Sequence, residues 1–247
     1  MSNFLETTII LTLAGLGTRF KREGYKLPKY LLPIKAGKNQ SEIKIIDFII
    51  NEILSVFKTK IKLILVLNIK DYKIASKHFL YLSKKANLDI RFIPLVPGQA
   101  YSVLSGFNFS EPDHGFTVMN GDTLIRLDKI KKAIRSQINM INTFSSDSED
   151  YSYADLDEKG FVKKIIEKKV ISRNASTGLY SFRSRDLFVE ALNLLEENRI
   201  YQNPEIYLSE VIQKLINLGE FFKVIKTDMI DLGTPKKYEE YNQCIKK

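Results

Sequence analysis

The sequence predicts an α/β fold built on a doubly wound sheet, mixed but mainly parallel, and three observations carry that expectation. The run at 8–13 is apolar and continuous, as a strand buried on both faces requires, and 62–67, 90–94 and 115–119 also read as strands. Segments of helical period separate them, at 43–57, 72–86 and 99–107. Two of the runs end abruptly in turn-forming motifs, LAGLGTRF at 13–20 and NGDTL at 120–124. Alternating strands and helices over 8–135 give a parallel sheet whose carboxyl edge holds a site.

Each element follows from its residues. The first strand, 8–13, runs into Gly15 and Gly17. The helix at 43–57 sets Ile46, Ile49, Ile50, Ile53, Leu54 and Phe57 on one face. The strand at 62–67 leads to the helix at 72–86, with Ala75, Phe79 and Leu82 as its inner stripe. The strand at 90–94 is followed by Pro97-Gly98 and a short helix at 99–107. The fourth strand, 115–119, closes at Asn120-Gly121-Asp122, where glycine lets the chain turn. The second half changes character. Strands are expected at 139–145, 151–156, 161–167 and 177–183, with a turn at 157–160. The polar, acidic 145–150 is a loop rather than a linker. Helices follow at 186–197 and 205–218, then a strand at 221–227. A closing helix spans 235–246, with Pro235 in its first turn. No internal repeat and no hexapeptide tail are visible.

Bulk properties exclude several classes. At 247 residues the chain can bury one large core with a small appended lobe. Hydrophobic content of 44% and charged content of 27% are ordinary for a globular protein. No basic n-region precedes an apolar run at the start, so no signal peptide is expected. No apolar stretch is long enough for a transmembrane helix, and no membrane partner is expected. The single cysteine, Cys244, fits a reducing, cytoplasmic setting, and reads as a small apolar residue on the last helix. The net charge of +9 comes from lysines spread along the chain, without an arginine stripe or interleaved aromatics, so nucleic acid is not an expected partner. A homo-oligomer is compatible with the sequence. His78 and His114 stand apart, and no Ser/His/Asp or Cys/His arrangement supports covalent catalysis.

The first loop carries the chemistry. Gly15 and Gly17 lack a Cβ, so their backbone N–H groups can approach phosphate oxygens. Arg19 adds a guanidinium fork, and Pro28 fixes the backbone before Lys29, a point charge for a second phosphate. No GKS or GKT follows, so this is not a P-loop. No third glycine appears at the dinucleotide-binding offset either. With Thr18, the set points to a nucleoside triphosphate.

At this point the chain resembles the nucleoside-triphosphate transferases that make nucleotide-activated sugars and related metabolites. Their GxGTR loop and PKxLLPI-like segment match AGLGTRF and LPKYLLPI here. The form running through REGYKLPKYL resembles a capsule and surface-polysaccharide branch. Leu13 departs from the pattern, where many members have a small residue. The resemblance implies a Rossmann-like nucleotidyltransferase fold with a small inserted acceptor-binding lobe. One domain, 1–247, would have a nucleotide-binding half at 1–135 and an acceptor-binding half at 136–247.

The resemblance also distributes roles. Asp122 in NGDTL and Asp231 in MIDLGTP would be the two carboxylates that hold Mg²⁺, hard oxygen ligands suited to an ion that bridges phosphates. Asp228 is the rival, outside the DLGTP motif. VPGQA at 96–100 resembles the base-contacting segment, with Gln99 reading a base edge and backbone of Leu13, Ala14 and Gly98 completing the site. Glu167 and Lys168 resemble a pair that grips the acceptor, Lys168 on its phosphate and Glu167 on a hydroxyl or amine. Thr177 and Gly178 would line the acceptor pocket, Gly178 allowing close approach of a ligand. Tyr207 is within the acceptor's expected reach. The proline usual after the Glu-Lys pair is replaced by Lys169.

The implied reaction is in-line attack of an acceptor phosphate on the α-phosphorus of an NTP, a pyrimidine nucleotide (CTP or UTP) being favoured, with loss of pyrophosphate. Arg19 and Lys29 would offset the developing charge. The acceptor is either a sugar 1-phosphate or a non-sugar phosphate such as phosphoglutamine or phosphocholine. The rivals are a metal-dependent glycosyltransferase, which would use a DxD-like motif, and a non-catalytic nucleotide sensor, which would not need Asp122 and Lys29 together.

Overall fold

The computed structural model describes residues 7–36, 41–58, 61–83, 88–197 and 205–244. The first half contains β1 Thr7–Leu13, α1 Thr18–Arg22, β2 Pro33–Ala36, β3 Ser41–Lys44, α2 Ile45–Phe57, β4 Ile61–Asn68, α3 Tyr72–Ser83, β5 Leu88–Ile93, α4 Gln99–Leu104 and β6 Phe116–Asn120. Next come β7 Thr123–Ile125, α5 Lys131–Arg135, β8 Met140–Ser145, β9 Tyr153–Leu156, β10 Val162–Ile166 and β11 Asn174–Phe182. The chain closes with α6 Arg185–Glu197, α7 Leu208–Asn217, β12 Lys223–Lys226, β13 Met229–Asp231 and α8 Pro235–Cys244.

A nine-stranded sheet in the order β10-β9-β11-β6-β1-β4-β5 forms the spine, with β8 on β11 and β12 on β8. The pairs β1–β4, β1–β6 and β4–β5 are parallel, while β11 runs antiparallel to β6. This is the mixed, mainly parallel α/β sheet that the alternating pattern predicts. It is doubly wound because β1 is apolar on both faces. Ile9, Leu11 and Leu13 pack in one core with Ile46, Ile49, Ile50, Ile53 and Phe57 of α2 and Ala75 and Phe79 of α3. Ile10 faces a second core with Ala100 and Val103 of α4, Phe188 of α6 and Val211 and Ile212 of α7.

Several boundaries differ from the sequence expectation for physical reasons. The helix expected from 43 begins at Ile45, because 41–44 pairs with 33–36 as a hairpin. Residues 84–86 and 245–246, expected as helix ends, lie outside the described residues. The helix expected from 205 begins at Leu208, because the preceding backbone lies against Gly98. There the Ile206 N–H donates to the Pro97 carbonyl at 3.0 Å and the Ile206 carbonyl accepts from Ala100 at 3.3 Å. β7 and β13 were not expected at all, and they pair with each other in a separate small sheet.

Gly98 has φ +107°, and a Cβ there would meet the Ile206 backbone nitrogen and oxygen at 2.5 Å. Gly98→Ala is therefore expected to lower the unfolding free energy by at least about 2 kcal/mol. A urea midpoint equal to that of the parent would refute this packing role.

Candidate functional site

β1 and β6 deliver their carboxyl ends side by side, in register Thr12 to Asn120. Beyond them the chain opens a polar cleft of about 340 Å³, whose lining includes Gly17, Arg19, Lys29, Gln99, Asp122 and Asp231. The structure thus gathers residues from both halves of the chain at one sheet edge.

Asp122 is nearly buried, 9% exposed, and its carboxylate is the ion-pair partner of Lys29. Asp231 arrives from the far end of the chain. Antiparallel pairing of β13 with β7 sets it opposite Thr123, and the Leu232 N–H donates to the Asp122 carbonyl at 2.8 Å. The two acids converge beside Gly233, where a Cβ would lie 2.9 Å from Asp231 Oδ1 and 3.1 Å from Asp122 Oδ2. Asp228 is settled as a surface residue: its side chain is 92% exposed, with Lys129 at 3.4 Å. Among the described residues no cluster of three or more His, Cys, Asp or Glu is set for a metal. Two convergent carboxylates suit an ion that keeps waters and takes its other ligands from phosphates.

Arg19 is exposed on α1 and lines the cleft, with no ion pair among the described residues. Gly17 caps α1 in the left-handed region, φ 60°. Thr18 lines the cleft beside it. Gly15 is exposed, and a Cβ there would project into open space. Leu13 and Ala14 are both 4% exposed and belong to the two cores rather than to the lining. Leu13 packs over Gly121, where a Cβ would overlap its side chain. The Ala14 carbonyl accepts from Asn68 Nδ2 at 3.0 Å.

Gln99 is anchored to the sheet edge. Its Nε2 donates to Thr12 Oγ1 at 2.8 Å and to Asn120 Oδ1 at 2.7 Å, leaving its carbonyl oxygen as the remaining polar atom. Glu167 lines the cleft and accepts from Ser152 and, at 3.0 Å, from Ser209. Lys168 does not line it. Its backbone is left-handed at φ 51°, and its Nζ lies 3.2 Å from the Tyr207 hydroxyl and 4.7 Å over that ring. Thr177 is buried, its hydroxyl donating to Asn142 Oδ1 at 2.8 Å. Gly178 lines the cleft with φ +81°, and the space a Cβ would take there is filled by the Asn120 carboxamide. His78 and His114 lie elsewhere, on Asp47 and Thr8.

Sequence reasoning missed Lys237, Tyr151 and Asp150. Lys237 Nζ donates to Asp231 Oδ2 at 2.7 Å, to the Tyr151 hydroxyl at 3.0 Å and to Asp150 Oδ2 at 3.2 Å. Burial opposes its charged form, yet the hydrogen bonds to Asp231 and Tyr151 hold the ammonium above its ordinary value. Lys237 in turn holds the Asp150 carboxyl below the usual range. Its only signal was position, three residues after Thr234 in a helix that must start beside Asp231. Burial pushes the hydroxyl of Tyr180, which also lines the cleft, up to about 12.

A cleft of paired acids and cations at the carboxyl edge of a mainly parallel sheet is the layout of an α/β transferase that works on phosphates. The chain belongs to the nucleotidyl transferase family, whose model matches residues 7–247. Over 231 aligned residues it is 29% identical to the bifunctional protein GlmU of Prochlorococcus marinus (strain NATL2A), covering 84% of this chain and 46% of that protein. The chain thus spans about half the length of that curated relative. Its fold is that of the nucleoside-diphosphate-sugar pyrophosphorylase from Vibrio cholerae RC9, with TM-score 0.78 and 21% identity over 96% of this chain and 99% of that one. The inositol-1-phosphate CTP transferase from T. maritima matches with TM-score 0.70 and 17% identity over 98% and 97%. HddC from Yersinia pseudotuberculosis matches with TM-score 0.66 and 24% identity over 97% and 99%.

Asp150 offers a pH test. Its lowered pKa means that its contribution to stability is present above the ordinary carboxylate value, about 3.9, and is lost as pH falls through the depressed one. Asp150→Asn should cost about 0.5 kcal/mol at pH 7, small because the group is half exposed, and less at pH 2. Denaturation curves of both proteins at the two pH values check this.

Proposed function

We propose that the protein transfers NMP from an NTP to a phosphorylated small-molecule acceptor and releases pyrophosphate. One observation carries the reading: Lys29 sits on Asp122, with Asp231 converging on the same point beside Gly233. Arg19 and the backbone of Gly15 and Gly17 would bind the triphosphate. Gly15 supports this directly, since nothing in its own surroundings requires a missing side chain.

Asp122 and Asp231 would hold Mg²⁺, which when bound supplies electrophilic activation of the α-phosphate. The chain's own residues do the rest. Lys29 and Arg19 place positive charge where the transferred and leaving phosphates gain negative charge. The rigid edge of β1 and β6 orients the two substrates, so that positioning replaces a general base. An acceptor phosphate is already an anionic nucleophile. It attacks the α-phosphorus as the bond to the bridging oxygen breaks, and pyrophosphate leaves.

Base choice follows from Gln99. Its amide protons are committed to Thr12 and Asn120, so it presents an acceptor. That favours a pyrimidine bearing an exocyclic amino group, CTP before UTP. The T. maritima relative is named as a CTP transferase on an inositol phosphate, so this fold serves CTP and an acceptor that is not a hexose 1-phosphate. The acceptor side of the cleft is built from Asp150, Ser152, Glu167, Ser176 and Tyr180, groups that suit an acceptor rich in hydroxyls or amines. In this reading Glu167, Thr177 and Gly178 line its pocket, and Lys168 and Tyr207 guard its mouth. Residues 1–247 act as one unit, with the nucleotide bound by 1–135 and the acceptor by 136–247. The likeness of 13–34 to the capsule branch supports a role in surface-polysaccharide precursor synthesis by a cytoplasmic enzyme. No described helix is long and apolar enough to cross a membrane.

Pyrophosphate release with Mg²⁺, across four NTPs and a panel of phosphorylated acceptors, tests the reading. Turnover with CTP and one acceptor is expected. NTP binding with no release from any pair would favour the sensor. Asp122→Asn should reduce turnover at least about a hundredfold with unchanged circular dichroism. Gly15→Ala should leave the melting temperature unchanged while raising KM for the NTP about tenfold or more, because the new Cβ stands where phosphate must approach. A Gly15→Ala enzyme with the parent's KM would remove the glycine loop from the nucleotide site.

A further inference from the structure

The contacts of Lys237 have no part in the reaction as derived above. All three of its ammonium protons are engaged, on Asp231, Tyr151 and Asp150. Tyr151 donates to the same Asp231 oxygen at 2.9 Å. Across the cleft Lys29 occupies Asp122. Each convergent carboxylate therefore carries an ammonium.

Local helix chemistry does not ask for this arrangement. Lys236 and Lys237 stand in the first turn of α8, which contains no acid. Cations at a helix N-terminus oppose the macrodipole. Lys237 is also three-quarters shielded, with 27% of its side chain exposed, and Asp231 is more so at 18%. The pair is held close at a place where the helix and the burial both work against it.

We propose that Lys237 is a latch. With no nucleotide it occupies Asp231 and keeps divalent cations out of the two-carboxylate site; the phosphates of an arriving nucleotide draw it away and admit the cation. The inference rests on the reading of Asp122 and Asp231 as metal ligands. A dication approaching these acids alone meets two ammonium groups at hydrogen-bond distance from the same oxygens. A triphosphate reverses the sign of that interaction, since it attracts both lysines and the ion. Lys237 then acts as a positioning residue that couples the two ligands. By linkage the nucleotide strengthens cation binding by the same factor as the cation strengthens nucleotide binding.

The test uses Mn²⁺ as probe, titrated into the full-length protein and followed by the electron paramagnetic resonance signal of the free ion. Titrations are run with and without an NTP analogue bearing a non-cleavable α,β-bridge. The parent should bind Mn²⁺ weakly alone and about a hundredfold more tightly with the analogue. Lys237→Met should tighten Mn²⁺ binding in the absence of nucleotide about tenfold and shrink the coupling. Tyr151→Phe, which keeps the ring and α8 intact, should move both values in the same direction by less. Lys237→Arg should restore the parent's pattern. Mn²⁺ binding by Lys237→Met that is equal to or weaker than the parent's overturns the latch, as does a parent protein that binds Mn²⁺ equally well with and without nucleotide. Asp122→Asn separates the two readings. If it weakens Mn²⁺ binding, a failure at Lys237 concerns the latch alone; if it does not, the metal-ligand reading falls and the latch with it.

Discussion

The cleft depends on one short piece of pairing, three residues of β13 against three of β7. Asp122 and Asp231 are far apart in sequence, and nothing else in the sheet brings them together. Register is the sensitive quantity. Asp231 stands opposite Thr123, and a slip of one residue would turn its side chain to the other face. The pairing is too short to hold itself, so the core holds it. Leu124 and Ile125 from one strand and Leu232 just after the other are all buried in the cluster under β1. The hydrogen bond from Leu232 to the Asp122 carbonyl then locks the two acidic segments to each other.

The other walls are positioned by longer-range order that costs less to specify. Parallel strands end together, so the loop after β1 and the turn after β6 meet without further instruction. Gln99 ties that junction to α4 by bridging Thr12 and Asn120. Asn120 in turn fills the space left by Gly178 on the neighbouring antiparallel strand. The wall carrying Gly178 is thereby packed against the junction of β1 and β6 through two carboxamides. A change in one pocket is transmitted to the other by side chains that have no freedom to absorb it.

The parallel core was legible because its central strands β1, β4 and β6 are largely buried on both faces and read as mainly apolar runs, whereas the edge strand β5 is only half-buried and carries Asp89 and Arg91. The glycine loop and Asp122 were legible because a strand end, two glycines and charged side chains occur in order. Asp231 came only through likeness to a family motif, since a three-residue strand shows no periodicity. Lys237, Tyr151 and Asp150 were not legible. Each has the composition of a solvated surface, and only the fold turns them inward. The glycines show the same divide. Gly15 was read as an opening for a ligand, and its surroundings leave room for one. Gly98, Gly121 and Gly178 answer instead to Ile206, Leu13 and Asn120. Packing requirements of that kind arise between segments distant in sequence, where local chemistry carries no signal.

Charge makes the last connection between composition and function. The chain carries +9 overall, which draws anions toward it over a distance of about 8–10 Å at ordinary salt. Inside the cleft the balance is different. Arg19, Lys29 and Lys237 face Asp122, Asp150, Asp231 and Glu167, so the acids outnumber the cations. A polyphosphate entering such a site gains nothing from net charge; it gains only where cations exchange a carboxylate for a phosphate. Arg19, with no ion pair among the described residues, needs no such exchange and is the natural first contact. Lys29 and Lys237 have partners to give up, and the acids they release lose their countercharges at the moment a multivalent anion arrives. Those acids are restabilised only by another cation, so a site balanced in this way favours an anion and a cation arriving together over either one alone.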